Sequence, residues 1–67
     1  MKFYAILSKD TSGPALGVGI TWSEAWKDAY TFANEDSGWE SYEPREITES
    51  SYQRIKAGNP DAVTLAV

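Results

Sequence analysis

A chain of 67 residues that contains no cysteine must hold its fold together without disulfide bonds. A domain of this size buries only about 60% of the surface that its unfolded chain exposes, so its stability is marginal. The chain is instead rich in large aromatic side chains: three tryptophans, four tyrosines and two phenylalanines. Each of them can bury roughly 150–250 Å² of surface. We therefore expect one small domain, residues 1–67, held together by a few well-placed rings.

Two apolar runs near the start of the sequence predict a β-hairpin. Residues Lys2 to Ser8 place apolar side chains on both faces, which is typical of a strand covered on both sides. Turn-forming residues from Asp10 to Pro14 connect this strand to a second run, residues 15–20. Gly17 and Gly19 share one face of that run, and we expect them to leave room for a packed aromatic ring.

The hydrophobic period then changes to that of a helix. Thr21 and Glu24 fit a capping box, in which the hydroxyl and the carboxylate each accept a hydrogen bond from a backbone N–H. The pattern predicts a helix from Thr21 to Asn34, with its alanines close to the sheet and its tryptophans in the core. We expect the ring above the glycines to be Trp26 or Tyr30. The apolar stripe consists of Trp22, Ala25, Trp26, Ala29, Tyr30 and Ala33.

The second half of the chain predicts an edge strand and another helix. Residues Trp39 to Glu46 fit a short strand, and Pro44 assigns it to the edge of a sheet because proline lacks the N–H that an interior strand needs. A helix is predicted from Glu49 to Ala57, with Thr48 as its N-cap. Gly58 stands where a glycine commonly ends a helix.

The last segment, Ala62 to Val67, alternates in the manner of a strand, and we expect it to pair with the first strand. The element order is therefore β-β-α-(β)-α-β. This order predicts an α+β fold in which an antiparallel sheet of three or four strands has two helices packed against one face.

Catalysis is not favoured by the side chains available. Without histidine or cysteine, an enzyme would depend on carboxylate, lysine, tyrosine or serine chemistry. Glu40 and Glu43 could imitate the carboxylate pair of a glycosidase. However, a domain this small rarely encloses a cleft of a few hundred Å³. We predict a protein that is not an enzyme, with no catalytic residue and no cofactor.

The sequence also does not match the EF-hand motif for calcium or the glycine-rich motif for dinucleotides. Placing Gly38 at the sixth position of an EF-hand loop puts Ala33 at the first and Pro44 at the twelfth, where carboxylates are required. A looser calcium site through Glu35 and Asp36 remains an alternative, but we predict no metal site. The short Gly-Val-Gly run lacks the third glycine and the βαβ context of a dinucleotide fingerprint.

The negative charge is concentrated in one segment. Residues 35–49 carry six acidic side chains and one arginine, whereas the net charge of the whole chain is −4. Such a field repels phosphate backbones and favours basic protein surfaces, so we predict a protein partner and no direct nucleic-acid binding. Aromatic side chains ringed by charge are typical of interface hot spots, although Trp39 and Tyr42 could instead cap the core. The predicted partner-binding residues are Glu35, Asp36, Trp39, Glu40, Tyr42 and Glu43.

These features resemble the small accessory proteins of bacteriophages and mobile elements, of which anti-CRISPR and other anti-defence inhibitors are members. The resemblance rests on length, on the hairpin from Lys2 to Ile20, on the helix from Thr21 to Asn34 and on the acidic stretch from Glu35 to Glu49. It implies an inhibitor that docks an acidic surface on a basic face of a larger host complex. It supplies no motif through which a functional residue could be assigned by position.

No targeting signal and no apolar run of roughly 20 residues is evident, which predicts a cytoplasmic, soluble protein. The alternative function is a structural or assembly protein that forms a homo-oligomer, a homodimer for example, by pairing the edges of its sheet.

Overall fold

The computed structural model describes residues 1–10, 13–32 and 39–66, and these ranges form the predicted α+β fold. A three-stranded antiparallel sheet and two helices make up the described part of the chain. The elements are β1 (Phe3–Ser8), β2 (Gly17–Gly19), α1 (Trp22–Phe32), a single 3₁₀ turn (Trp39–Ser41), β3 (Tyr42–Ile47) and α2 (Glu49–Lys56).

The first strand is the centre of the sheet, whose strand order is β2-β1-β3. Ala5 pairs with Val18 on one side and with Arg45 on the other, and both pairings are antiparallel. A central strand is covered on both faces, which explains why the sequence of β1 is apolar at successive positions. The prediction of a strand covered on both sides is confirmed, since Ala5, Ile6 and Leu7 are fully buried.

The two helices pack against opposite faces of the sheet, so the expectation that both would cover one face was wrong. On one face Ile6 packs with Ala25 and Ala29 of α1. On the other face Ala5 and Leu7 belong to a core against which residues of α2 and of the C-terminal segment pack. Because both faces of β1 carry apolar side chains, a single layer of helices would leave one of these faces in water.

Gly17 and Gly19 make room for a helix backbone, and the expectation of a packed ring was wrong. A Cβ atom at Gly17 would lie 2.4 Å from the backbone nitrogen of Ala29. A Cβ atom at Gly19 would lie 2.6 Å from the backbone nitrogen of Ala25. The glycines on β2 and the alanines on α1 therefore face each other, and their small size lets the helix lie close to the strand.

Both helices begin at the predicted capping hydroxyl, although at α1 the Glu24 carboxylate binds the N–H of Ile20 and not the Thr21 N–H of a regular capping box. The Glu24 N–H donates to the Thr21 hydroxyl at 3.1 Å, while the Glu24 carboxylate accepts from the N–H of Ile20 at 3.3 Å. The Ser51 N–H donates to the Thr48 hydroxyl at 3.1 Å, which confirms Thr48 as the N-cap of α2. At its other end, α2 is followed by Gly58 with a positive φ of 105°, as predicted. The structure describes α1 as far as Phe32, and the predicted helical residues 33–34 lie outside the described ranges.

The third strand begins later than predicted, because Trp39–Ser41 forms the 3₁₀ turn and β3 starts at Tyr42. Its position at the edge of the sheet is confirmed. The Glu46 carbonyl and the Thr48 N–H both bond outward, to residues of the C-terminal segment. In an antiparallel strand, the backbone groups of every second residue point to the same side. Pro44, two residues before Glu46, therefore has its nitrogen on the side away from β1, so its missing N–H removes no hydrogen bond between β3 and β1.

The C-terminal segment lies beside β3, so the expected pairing with the first strand was wrong. Both sides of β1 are occupied by its neighbours, which leaves no edge for another strand. Instead, Leu65 forms an isolated antiparallel bridge with Ile47, the Thr48 N–H donates to Thr64 and the Ala66 N–H donates to Glu46. Val67 lies outside the described residues.

Ser51 attaches this segment to α2. Its side chain is 1% exposed, and its hydroxyl donates to the Ala62 carbonyl at 2.7 Å while accepting the Thr64 N–H at 3.1 Å. We expect Ser51→Ala to lower the free energy of unfolding by about 1–2 kcal/mol, because both partner groups lose their hydrogen bond at a buried site. Urea denaturation checks this. The exposed Ser50→Ala is the matched control, and equal losses in the two variants would contradict the assigned role.

Candidate functional site

The most distinctive surface of the molecule is aromatic. Two of its residues are well exposed to water: Trp22 is 60% exposed and Tyr30 is 48% exposed. The other four are partly buried. We call this set the aromatic surface: Tyr4, Trp22, Trp26, Tyr30, Trp39 and Tyr42.

Helix α1 contributes three of these rings along one flank. Trp22, Trp26 and Tyr30 are four residues apart, so they lie one above another on the helix. Ala25 and Ala29 form the stripe that contacts the sheet. Because α1 lies so close to β2, the rings cannot fit beneath it and project to the side instead. The prediction that Trp22 belongs to the core was therefore wrong, whereas Trp26 packs partly against the core.

Four of the rings form one connected cluster. The Trp39 ring lies 5.6 Å from Trp26, 4.9 Å from Tyr30 and 6.0 Å from Tyr42, measured between ring centroids. Trp26 and Tyr30 stack on each other at 5.8 Å. Trp39 is thus the ring that joins α1 to β3, and it has a structural role besides any role in binding.

A separate ring pair extends the aromatic surface along β1. Tyr4 and Trp22 meet edge to face, with centroids 6.4 Å apart and ring planes at 88°. Tyr4 shares the α1 face of β1 with Ile6, and Trp22 lies one helical turn before Trp26. The pair is therefore next to the four-ring cluster and not on another side of the protein.

The structure divides the predicted partner-binding residues. Trp39 and Tyr42 lie together in the aromatic surface, and Glu40 is exposed beside Trp39 in the 3₁₀ turn. Glu43 lies on the opposite face of β3 from Tyr42, and its carboxylate is 3.5 Å from the Arg45 guanidinium. The remaining two predicted residues, Glu35 and Asp36, lie outside the described residues.

Sequence reasoning missed a carboxylate on the aromatic face. Glu46 pairs with Tyr4 across β1 and β3, so the two side chains share one face of the sheet. Its carboxylate is 3.9 Å from the Lys2 ammonium, and both side chains are well exposed. The exposed ring of Trp22 was also missed. The aromatic residues at i, i+4 spacing show that these rings share one side of the helix. The same spacing fits a stripe buried in the core, so it does not indicate that Trp22 is exposed.

One of the two carboxylates suggested as a glycosidase-like pair lines a surface cavity. A cavity of about 400 Å³ is lined by Glu40 together with Ser8, Lys9, Asp10 and Ser41, and Glu43 is not part of its lining. This cavity therefore does not bring the suggested carboxylate pair together. No group of three or more acidic side chains suited to a metal ion occurs within the ranges 1–10, 13–32 and 39–66.

Both edges of the sheet are partly covered by the chain itself. At β2 the Val18 N–H donates to the Asp28 carboxylate at 3.0 Å, so this group is not available to another strand. At β3 the C-terminal segment takes up the backbone groups near Ile47, and Pro44 supplies no donor. These contacts weigh against assembly through strand pairing, which stays a prediction that light scattering can test.

Neither helix in the described part of the chain has the length and apolar character needed to cross a lipid bilayer. Comparisons with protein-family models, with curated proteins and with solved structures find no match.

Proposed function

We propose that this chain is a non-enzymatic protein-binding module that docks through the aromatic surface. The observation that supports the proposal is the exposure of Trp22 and Tyr30 within a group of six neighbouring rings. Exposing such large rings to water is unfavourable, and tryptophan and tyrosine are the residues that most often dominate binding energy at protein interfaces. Partner binding would bury the exposed faces of these two rings.

The charge of the chain indicates the kind of partner. A net charge of −4 and a pI near 4.5 favour a basic protein surface over a nucleic acid or another acidic copy of the chain. Together with the resemblance to phage accessory proteins, this leads us to propose an inhibitor of the anti-defence type, which acts in the host cytoplasm. In this proposal it occupies a basic face of a host protein or protein–nucleic-acid complex.

Affinity capture with matched variants tests the proposal. The double variant Trp22→Ala, Tyr30→Ala removes the two exposed rings, while Ser50→Ala, Gln53→Ala changes exposed positions on α2, which packs on the other face of the sheet. We expect a partner captured by the wild type to bind the ring variant at least about 30-fold more weakly once purified, because hot-spot truncations cost about 2 kcal/mol or more. The α2 variant should bind like the wild type.

Salt dependence provides a second readout with the purified partner. We expect affinity to fall as ionic strength rises, since exposed charges are screened over about 10 Å at 0.1 M salt. Circular dichroism must first show that the ring variant and the α2 variant are folded. A partner that then binds the ring variant as tightly as it binds the wild type would contradict the proposal.

A further inference from the structure

We propose that the partner inserts an arginine side chain between Tyr4, Trp22 and Glu46. We call this place the Tyr4–Trp22–Glu46 corner. The inference rests on the proposed function, because it names the chemical group through which a basic partner would engage the aromatic surface. The inference starts from two observations: Tyr4 and Trp22 meet edge to face, and Glu46 is the cross-strand partner of Tyr4 on the same face of the sheet.

The geometry of the corner is set by two independent contacts. Trp22 presents a largely exposed ring at 88° to the ring of Tyr4. Glu46 is the direct cross-strand partner of Tyr4, and side chains in such pairs have Cβ atoms roughly 4.5–5.5 Å apart. The corner therefore combines a largely exposed indole ring with a carboxylate on the neighbouring strand.

The arrangement of the rings favours a guanidinium over other stacking ligands. A base sandwiched by two rings needs roughly parallel ring planes, whereas Tyr4 and Trp22 are nearly perpendicular. A nucleotide that stacks on one ring alone has a phosphate, which the Glu46 carboxylate repels. Trp26 and Tyr30 stack on each other, which covers one face of each ring. A guanidinium is planar and weakly hydrated, so it can stack on one indole while donating to a carboxylate at its edge. An ammonium lacks the planar face.

The chain itself already holds a cation at this carboxylate. The ammonium of Lys2 lies 3.9 Å from the Glu46 carboxylate, and the two side chains are 67% and 41% exposed. Ion pairs this exposed contribute little to stability, so a partner's arginine can replace Lys2 at small cost. Lys2 is therefore a competitor for the site, and removing it should strengthen arginine binding.

Two blocked peptides that differ only in their basic residues provide the probe, one with two arginines and one with two lysines. Binding is measured in low salt from the shift of the Trp22 indole NMR resonance. We expect the arginine peptide to bind more tightly than the lysine peptide, by about threefold, because both cations can contact the ring but only the guanidinium can stack flat on it while donating to the carboxylate.

Matched charge variants assign this binding to the corner. Glu46→Gln should weaken binding of the arginine peptide about threefold, whereas Glu49→Gln, with the same change in net charge at the exposed start of α2, should leave it unchanged. Lys2→Ala should strengthen binding, while Lys56→Ala on α2 should strengthen it less. Equal binding of the two peptides, or equal effects of the two glutamate variants, would overturn the inference.

Failure of this inference and failure of the proposed function give different results. If the ring variant loses a purified partner while the two peptides bind equally, the arginine inference is wrong and the docking surface stands. If a purified partner binds the ring variant normally while the arginine peptide still prefers the corner, the proposed function is wrong and the arginine site stands.

Discussion

Replacing Gly17 with alanine is expected to lower the free energy of unfolding by about 3 kcal/mol or more, the upper part of the range for overpacked cores. The new Cβ atom would lie 2.4 Å from the Ala29 nitrogen and 2.7 Å from the Ala25 oxygen. Both contacts are to helix backbone, so no flexible side chain can move to relieve them. The whole of α1 would have to shift away from β2.

A loss of this size is large for this protein. At roughly 0.05–0.15 kcal/mol per residue, a domain of 67 residues has a total stability of only about 3–10 kcal/mol. Urea denaturation followed by circular dichroism measures the change. We expect part of the Gly17→Ala sample to be unfolded without denaturant if the protein lies at the lower end of that range.

Gly58→Ala is the control that separates crowding from backbone conformation. Gly58 has a φ of +105°, but a Cβ atom there would meet nothing within 4 Å. Its replacement should cost about 1–2 kcal/mol, from the unfavourable conformation alone. If Gly17→Ala costs no more than Gly58→Ala, the close approach of α1 to β2 is not a main source of stability.

Gly17 also illustrates why the sequence predicted the elements better than their arrangement. The helices, their caps and the edge position of β3 follow from local signals at Thr21, Thr48 and Pro44. Whether a glycine faces a ring or a helix backbone depends on which element lies above it. The same holds for the choice of sheet face by each helix, because β1 is apolar on both faces.

The candidate site was only partly predictable for a related reason. Trp39 and Tyr42 are close in sequence, so a local pattern of aromatic and acidic residues was enough to select them. Tyr4 and Glu46 are brought together by the register of β1 and β3. Composition and periodicity do not specify that register, so this pairing could not be predicted from them.

Trp39→Ala is expected to lower the free energy of unfolding by about 3 kcal/mol, the lower end of the range for tryptophan truncation because the ring is partly buried. The substitution removes three ring contacts, to Trp26, Tyr30 and Tyr42. It also leaves a gap between α1 and β3. Thermal unfolding followed by circular dichroism measures the loss without depending on tryptophan fluorescence.

Trp22→Ala removes the same side chain type from the same surface and is the matched comparison. Trp22 is 60% exposed and its ring contact is with Tyr4, so we expect a loss of about 0.5–1 kcal/mol. Trp22→Ala should therefore reduce partner binding in a protein that remains folded, whereas Trp39→Ala should reduce binding largely by reducing the folded fraction. If Trp39→Ala melts at the same temperature as the wild type, the Trp39 ring contacts do not stabilise the packing of α1 on β3, and the role of Trp39 is confined to binding the partner. If Trp22→Ala is the more destabilising variant, the exposed ring supports the fold and the case for a docking surface loses its main support.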